Sequence, residues 1–198
     1  AIAALTVAAL GPYPGAGLSP DGSQLVISKQ NGSGYDLYLY NTSTGALIRQ
    51  ITTTGGSFGI TNEYPDISPD GTKVIFGSND NRSGGISSIK NIFVINIDGT
   101  GLTNVLNSKT INATAPSYKS DGRHACFHGT DTEASLPNTT YIYTLALMSG
   151  ASGKKVGAGA NSYYTITMPN NSLVSDMIGG TIYFPSPVIS SAYITQAY

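Results

Sequence analysis

The chain has 198 residues, only 11% of which are charged, and a formal net charge of −1. This length suits one domain with a hydrophobic core of its own. The low charge excludes the basic field of a nucleic-acid-binding protein and the polybasic patch of a membrane-surface protein. No run of 18 or more apolar residues occurs, so the sequence predicts no transmembrane helix.

The residue types favour β-structure without disulfides. Tyr outnumbers Phe by 13 to 5, and glycine is abundant at 24 residues. The many uncharged polar residues are typical of secreted and cell-surface proteins. Cys126 is the single cysteine, so no disulfide can form within the chain. Strand ladders and apolar layers must therefore hold the fold.

The first ten residues are apolar apart from one threonine and carry no charged side chain. Residues 1–3 fit the small-x-small pattern of a signal-peptide cleavage site, but the segment lacks a basic n-region. We therefore interpret residues 1–10 as a strand of the mature chain. Because an unpaired apolar strand promotes aggregation, we expect it to be buried against another sheet.

Three similar segments follow, over residues 13–52, 60–107 and 112–156. Each contains an Asp-Gly turn, and its aspartate recurs at Asp21, Asp70 and Asp121, which are 49 and 51 residues apart. Repeats of about this length are typical of propellers and solenoids, in which each unit covers the apolar face of its neighbour. The repeats therefore predict a radial or stacked architecture.

Each segment reads as four short strands. In the turn Ser-Pro-Asp-Gly the proline presets φ, the aspartate accepts hydrogen bonds from the backbone, and the glycine eases the exit. The strand after the turn is apolar on both faces, which indicates burial on both sides. The residues predicted to form the core are Leu25, Ile27, Val74, Phe76, Phe93, Ile95, Phe127 and Ile142.

The best-preserved copy reads Pro65-x-Ile67-Ser68-Pro69-Asp70-Gly71-x-x-Val74-Ile75-Phe76, then Asn91-Ile92-Phe93-Val94-Ile95-Asn96-x-Asp98-Gly99-Thr100. This pattern resembles the WD40-like (PD40) repeat of TolB-like β-propellers. The tryptophan that often precedes the turn in that family is missing here. The resemblance implies a propeller fold. It also implies a role in protein interaction outside the cytoplasm, which such propellers often have.

Residues 161–198 contain a degenerate fourth unit that is one strand short. We predict that the strand over residues 1–10 completes it, which gives a small all-β propeller of about four blades. The closing strand comes either from the same chain, in cis, or from a neighbouring subunit, in trans. Closure in cis removes exposed strand edges, whereas closure in trans can join subunits head to tail.

His124, Cys126 and His128 alternate along one predicted strand and therefore share one of its faces. Histidine and cysteine bind zinc and copper, so the three residues are candidate metal ligands. Along an extended strand, however, His124 and His128 lie roughly 13 Å apart, too far to share one ion. We therefore interpret Cys126 as a buried structural thiol and predict neither a metal nor a cofactor.

Residues 79–84 are rich in side-chain oxygens, as calcium-binding loops are. They lack the Asp-x-Asp-x-Asp-Gly spacing, and Lys90 stands where a calcium loop requires glutamate. We interpret them as a solvated connection. The recurrence of one aspartate in each repeat likewise indicates a turn former, since a catalytic group normally occurs once.

The sequence contains no motif of a serine hydrolase, a P-loop protein or a zinc peptidase. Glycoside hydrolysis requires two carboxylates roughly 5–9.5 Å apart across a cleft. Glu63, Asp66, Asp131 and Glu133 lie near predicted strand ends, but sequence alone does not place any two of them together. We therefore predict that the protein is not an enzyme.

Six asparagines fit the Asn-x-Ser/Thr pattern and are candidate N-glycosylation sites. They are Asn31, Asn41, Asn81, Asn112, Asn138 and Asn170.

Together these observations favour a non-enzymatic propeller that acts as an interaction or assembly module. We expect an extracellular, cell-surface or periplasmic location. The expected partner is a protein, including copies of the same chain joined by strand exchange into a filament or surface layer, and glycans are a second candidate. The alternative is a carbohydrate-active propeller enzyme of the polysaccharide lyase or glycosidase type.

Overall fold

The computed structural model describes residues 14–81, 89–131, 140–147 and 154–155. The predicted N-terminal strand over residues 1–10 and the predicted fourth unit over residues 161–198 lie outside the described residues.

The described strands form three four-stranded antiparallel sheets, and in each sheet the strand order follows the chain. Blade 1 contains β1 (Ala16–Leu18), β2 (Gln24–Asn31), β3 (Gly34–Asn41) and β4 (Leu47–Gln50). Blade 2 contains β5 (Asn62–Ile67), β6 (Lys73–Ser78), β7 (Asn91–Asn96) and β8 (Thr103–Asn104). Blade 3 contains β9 (Ile111–Tyr118), β10 (His124–Asp131), β11 (Thr140–Ala146) and β12 (Lys154–Lys155). The predicted all-β class, built from four-stranded antiparallel units, is confirmed.

Two apolar layers join the blades face to face. The layer between blades 1 and 2 contains Val26, Leu37, Leu39, Ile51, Ile67, Val74, Phe76, Phe93 and Ile95. The layer between blades 2 and 3 contains Ile75, Ile92, Val94, Leu106, Ala113, Tyr118, Ala125, Phe127, Tyr143 and Leu145. Alternate residues of a strand point to opposite faces, so β6 supplies Val74 and Phe76 to the first layer and Ile75 to the second.

We call the face of a blade that packs on the preceding blade its upstream face, and the opposite one its downstream face. Phe76 and Phe93, on the upstream face of blade 2, are 1% and 0% exposed, and their rings stack with centroids 6.0 Å apart. Of the predicted core residues, Ile27, Val74, Phe76, Phe93, Ile95 and Phe127 are buried. Leu25, on the upstream face of blade 1, is only half-buried, and the side chain of Ile142 lies outside the described part.

One short helix, α1 (Thr54–Phe58), connects blade 1 to blade 2 and was not predicted. Its sequence, Thr-Gly-Gly-Ser-Phe, has low helix propensity. Gly59 ends it in the left-handed conformation, with φ 65°, and donates its backbone N–H to the Gly55 carbonyl at 3.0 Å. The helix therefore depends on contacts with the blades, which are described below.

Each blade has a residue with positive φ at the same repeat position, within its first strand or directly before it. These residues are Gly15, Tyr64 and Ala115, with φ of 113°, 52° and 47°. The pairing of β5 with β6 and of β9 with β10 shifts register at this point. Tyr64 also donates its backbone N–H to the Pro14 carbonyl at 2.8 Å, which joins blade 2 to the segment before β1.

Candidate functional site

The recurrent aspartates form turns, as the repeats predict. Asp21 Oδ1 accepts hydrogen bonds from Ser19 Oγ at 2.6 Å and from the backbone N–H of Ser23 at 3.0 Å. Asp70 Oδ1 accepts the equivalent hydrogen bonds from Ser68 Oγ at 2.6 Å and from the backbone N–H of Thr72 at 3.0 Å. Bonds from Ser19 and Ser23 lower the pKa of Asp21 to about 2, and the equivalent bonds lower the pKa of Asp70. These aspartates are structural.

The third turn has Lys119 and Ser120 in place of the serine and proline, and a histidine side chain bonds to its aspartate. Asp121 accepts the backbone N–H groups of Arg123 and His124 at 2.8 and 3.0 Å, and its Oδ2 lies 2.7 Å from His124 Nδ1. Burial raises the pKa of Asp121, but the bonds from His124 and Arg123 outweigh it and the net shift is downward. His124 therefore contributes to the turn.

The regular register between β10 and β11 keeps His124, Cys126 and His128 on one face of blade 3. Ala125 and Phe127 point the opposite way, toward blade 2, so the three candidate ligands lie on the downstream face. Cys126 is 1% exposed, and burial raises the pKa of its thiol to about 12. Burial lowers the pKa of His128. Within the described residues, no group of three His, Cys, Asp or Glu side chains is placed to hold a metal ion.

Asp36 is fully buried and organises the connection between blades 1 and 2. Its Oδ1 accepts hydrogen bonds from Thr52 Oγ1 at 2.8 Å and from the backbone N–H groups of Thr54 and Gly55 at 2.9 and 3.0 Å. Its Oδ2 accepts Asn31 Nδ2 at 2.9 Å. The carboxylate thus satisfies the first N–H groups of α1, which explains why this weak helix forms.

In blade 2, a polar side chain at the equivalent position also bonds to the backbone of the segment that leads to the next blade, with fewer hydrogen bonds. Asn91, at the position equivalent to Asp36, donates to the Ser108 carbonyl at 3.1 Å and accepts the Ser108 N–H at 2.6 Å. Neither Asp36 nor Asn91 is among the residues predicted from the sequence. A signal was available, since each stands directly before the apolar run of the third strand.

The structure places four of the six candidate glycosylation sites. Asn31 is tied to Asp36 through the same Nδ2 that would carry a glycan. Asn41 Oδ1 accepts hydrogen bonds from the backbone N–H groups of Ser43 and Thr44, both at 3.0 Å. Asn81 and Asn112 are exposed, whereas Asn138 and Asn170 lie outside the described part. Glycosylation stays a prediction, with Asn31 the least accessible of the four.

The loop interpreted as a solvated connection is described only over residues 79–81. Asn79 Oδ1 accepts the backbone N–H of Thr61 at 2.8 Å, and Asp80 is 5% exposed. This end of the loop therefore packs against blade 2.

The candidate acidic residues that are described have structural partners. Glu63 forms an ion pair with Lys90. Asp66 Oδ2 accepts the backbone N–H of Tyr118 at 2.8 Å and Ser117 Oγ at 3.2 Å, which links blade 2 to blade 3. Burial raises the pKa of Asp66 despite these bonds. The Asp131 side chain and Glu133 lie outside the described part.

The upstream face of blade 1 is apolar and only partly covered, since Ile27 and Tyr40 are buried on it but two leucines are exposed. Leu18, opposite Leu25 in the β1–β2 ladder, is 57% exposed, and Leu47 of β4 is 53% exposed. Ile67, which occupies the position of Leu18 in blade 2, is 3% exposed because blade 1 covers it. The upstream face is therefore covered in blade 2 and only partly covered in blade 1.

A cavity of about 210 Å³ lies between blades 1 and 2. We call it the interblade cavity. Its polar lining residues are Thr52, Thr53, Thr54, Asn62, Ser78 and Asp80. The remaining lining residues are Ile51, Phe76, Phe93, Ile95, Gly99 and Leu102.

No protein-family model and no curated protein matches this chain. Solved structures do match it. The putative TolB from Agrobacterium tumefaciens matches with a TM-score of 0.58 and 22% identity, over 73% of this chain and 48% of that one. TolB from Acinetobacter baumannii matches with a TM-score of 0.59 and 14% identity, over 76% and 34%. Oligogalacturonate lyase from Vibrio parahaemolyticus matches with a TM-score of 0.51 and 11% identity, over 73% and 39%.

The chain has a TolB-like β-propeller fold. Identities this low show the fold and do not extend to activity. The chain spans about half the length of the first of these structures and less of the other two. In the described part of the chain, no helix has the length and apolar character needed to cross a membrane.

Proposed function

We propose that this protein is a non-enzymatic, secreted or cell-surface propeller that acts as an interaction and assembly module. The observation that carries the proposal is the exposure of Leu18 and Leu47 on the upstream face of blade 1, which we call its open face. Every blade in a closed propeller packs between two others, so we expect another blade to cover this face.

Covering the open face is energetically favourable. Complete burial of a leucine side chain is worth about 1.5–3 kcal/mol relative to exposure. Leu18 and Leu47 are each more than half exposed, so a covering sheet gains on the order of half that amount from each. Leu25 and Tyr38 are half-buried on the same face and add to the gain.

The proposed cover is a fourth blade made from residues 161–198 and completed by the strand over residues 1–10. If that strand comes from the same chain, the ring closes and the partner is another protein. If it comes from a neighbour, strand addition joins copies head to tail into a filament or surface layer. The candidate glycosylation sites support an extracellular, cell-surface or periplasmic location.

A deletion of residues 1–10 tests the proposal, with mass by light scattering and stability by urea unfolding as measurements. Loss of folding in a monomer supports closure in cis. A folded chain that no longer assembles supports exchange in trans. Unchanged stability together with unchanged assembly would contradict both forms.

A substitution tests the open face directly. Leu18→Arg places a charge on it and should weaken assembly or destabilise the closed ring. Leu102→Arg is the matched control, since Leu102 is also exposed, at 40%, but lies in blade 2. Equal effects of the two substitutions would argue against a role for this face.

The alternative of a carbohydrate-active enzyme has less support. Glycosidases need a pair of carboxylates free to exchange protons with the substrate. Glu63 is paired with Lys90, and Asp66 accepts hydrogen bonds from the following blade. A polysaccharide-cleavage assay that showed turnover, lost in Glu63→Gln, would favour the enzyme.

A further inference from the structure

Three of the six candidate glycosylation sites are described over the whole Asn-x-Ser/Thr pattern. The asparagines and their hydroxyl residues are Asn31 with Ser33, Asn41 with Ser43, and Asn112 with Thr114. The glycan of such a site is carried by the asparagine side-chain nitrogen, Nδ2, and the pattern requires the hydroxyl two residues later. A folded chain can therefore be modified only where this nitrogen is free and the hydroxyl is accessible.

Asn31 has no free side-chain nitrogen. Its Nδ2 donates a hydrogen bond to Oδ2 of the buried Asp36 at 2.9 Å. The same nitrogen lies 2.9 Å from the position that a Cβ atom would take on Gly56 of α1. Nδ2 is thus held between a carboxylate and the backbone of the helix, which leaves no room for a sugar.

Asn112 is exposed, but the hydroxyl of its pattern is not. Thr114 Oγ1 is buried, and Thr114 lies opposite His128 in the ladder of β9 and β10. Asn112 Oδ1 accepts the backbone N–H of Lys90 at 2.9 Å. An enzyme that acts on the folded chain therefore reaches the asparagine without reaching the hydroxyl.

Asn41 meets both conditions. Its Oδ1 accepts hydrogen bonds from the backbone N–H of Ser43 at 3.0 Å and from Ser43 Oγ at 2.7 Å. Its Nδ2, on the other branch of the same amide, donates no hydrogen bond to any described residue. Ser43 is exposed. The turn between β3 and β4 therefore presents a free acceptor nitrogen and an accessible hydroxyl next to each other.

The turn also leaves the open face of blade 1 clear. Asn41 pairs with Gln24, one position beyond the pair of Leu25 and Tyr40 that lies on the open face. Because alternate residues of a strand point to opposite faces, Asn41 does not lie on that face. A glycan on Asn41 is therefore compatible with the cover proposed above.

We propose that Asn41 carries an N-linked glycan and that Asn31 and Asn112 carry none. The proposal rests on the secreted or cell-surface location proposed above. In the modification, Asn41 Nδ2 forms a bond to the anomeric carbon of a lipid-linked glycosyl phosphate. The bond from that carbon to the phosphate oxygen breaks, and the amide releases one proton. The producing cell supplies this donor and the transferase.

The first test uses the full chain purified from its natural source. Chymotrypsin separates Asn31 from Asn41, because three tyrosines lie between them, and mass spectrometry of the peptides identifies each modified residue. The expected result is a glycan on Asn41, with Asn31 and Asn112 unmodified. A glycan on Asn31 or Asn112 would overturn the proposal, as would the absence of a glycan from all three.

Substitutions produced in the same cells check the assignment through the mass of the intact protein. Asn41→Gln should remove the mass of one glycan, whereas Asn31→Gln is the matched control and should remove none. Ser43→Ala keeps Asn41 and should also remove one glycan, whereas Ser43→Thr supplies the required hydroxyl and should keep it. A glycan on Asn41 that survived Ser43→Ala would contradict the N-linked assignment.

Failure of this proposal is distinguishable from failure of the proposed function. A chain without a glycan on Asn41 contradicts the modification alone, because assembly is measured separately, by light scattering after deletion of residues 1–10. A glycosylated chain whose assembly and stability are unchanged by that deletion contradicts the proposed function and supports the modification.

Discussion

At the scale of single residues, the polar side chains of this protein mainly hold the backbone in place. Asp21 and Asp70 stabilise turns, and Asp36 holds the first turn of a helix. The buried carboxylate of Asp36 accepts hydrogen bonds from buried groups that would otherwise lack a partner. These residues therefore explain stability and give no indication of catalysis.

Cys126 should behave as an unreactive thiol. Its pKa of about 12 and its 1% exposure keep it protonated and shielded, whereas the thiolate is the reactive form. A thiol reagent should modify it slowly in the native protein and rapidly in denaturant. Rapid native labelling would show that blade 3 opens at its downstream face.

The turn aspartates could be predicted from the sequence because their donors lie within three residues of them. Asp36 could not, because its donors Thr52, Thr54 and Gly55 come 16 to 19 residues later. Their positions depend on how the chain turns between two blades. The interblade cavity was missed for the same reason, since blades 1 and 2 both contribute to its walls.

At the scale of strands, blades 2 and 3 each contain a strained backbone position. Tyr64 and Ala115 adopt left-handed backbone conformations that L-residues avoid, and each precedes a proline. The left-handed region costs roughly 1–2 kcal/mol for a residue with a Cβ atom. Blade 1 has glycine at this position and avoids that cost.

Ala115→Gly should therefore stabilise the protein by up to about 1 kcal/mol, after allowance for the greater freedom of glycine in the unfolded chain. The free energy of unfolding in urea is the measurement. Ala113→Gly, in the same strand but without positive φ, is the control and should be destabilising. Destabilisation of similar size in both variants would show that the backbone at residue 115 is not strained.

Phe76→Ala should destabilise the protein by roughly 3–5 kcal/mol, because the ring is 1% exposed in the layer between blades 1 and 2. Phe58→Ala is the matched control. That ring is 64% exposed, and its loss should change the free energy of unfolding by about 1 kcal/mol or less. A small effect of Phe76→Ala would mean that the layer between blades 1 and 2 can repack to fill the cavity that the substitution leaves.

The strand pattern of the blades could be predicted because it depends on local alternation and turns. The partial exposure of the Leu25 side chain could not be predicted, because the sequence around it resembles that around Val74. Blade 1 covers Val74. Helix α1 was also missed. Its sequence favours a loop, and the helix forms because the buried carboxylate of Asp36 accepts hydrogen bonds from its first N–H groups.

At the scale of the whole molecule, the free energy of unfolding should decrease at acid pH. The pKa of Asp21, about 2, and that of Asp70 lie below the ordinary value of 3.8. Their contribution is therefore complete above about pH 4 and is lost as the pH falls through the folded-state values. The raised pKa of Asp66 acts in the opposite direction, because the folded chain gains stability when this group takes up a proton.

Urea midpoints measured between pH 6 and pH 2 should therefore fall. Asp70→Asn should make the fall smaller, since it removes a group that resists protonation in the folded state. Asp66→Asn should make the fall steeper. Identical profiles for the two variants would contradict these opposite contributions.

Strand order also determines how the protein reaches its folded state. Every hydrogen-bonded strand pair in the described part joins neighbours in the chain, so each sheet can form as soon as its own segment is available. The layer between blades 1 and 2 must wait for a second segment. Val26→Ala should then mainly speed unfolding, whereas Gly22→Ala, in a turn with φ 70°, should mainly slow folding. Stopped-flow rates for both variants decide this, and a slowed folding rate in Val26→Ala would place the docking of the blades before the rate-limiting step.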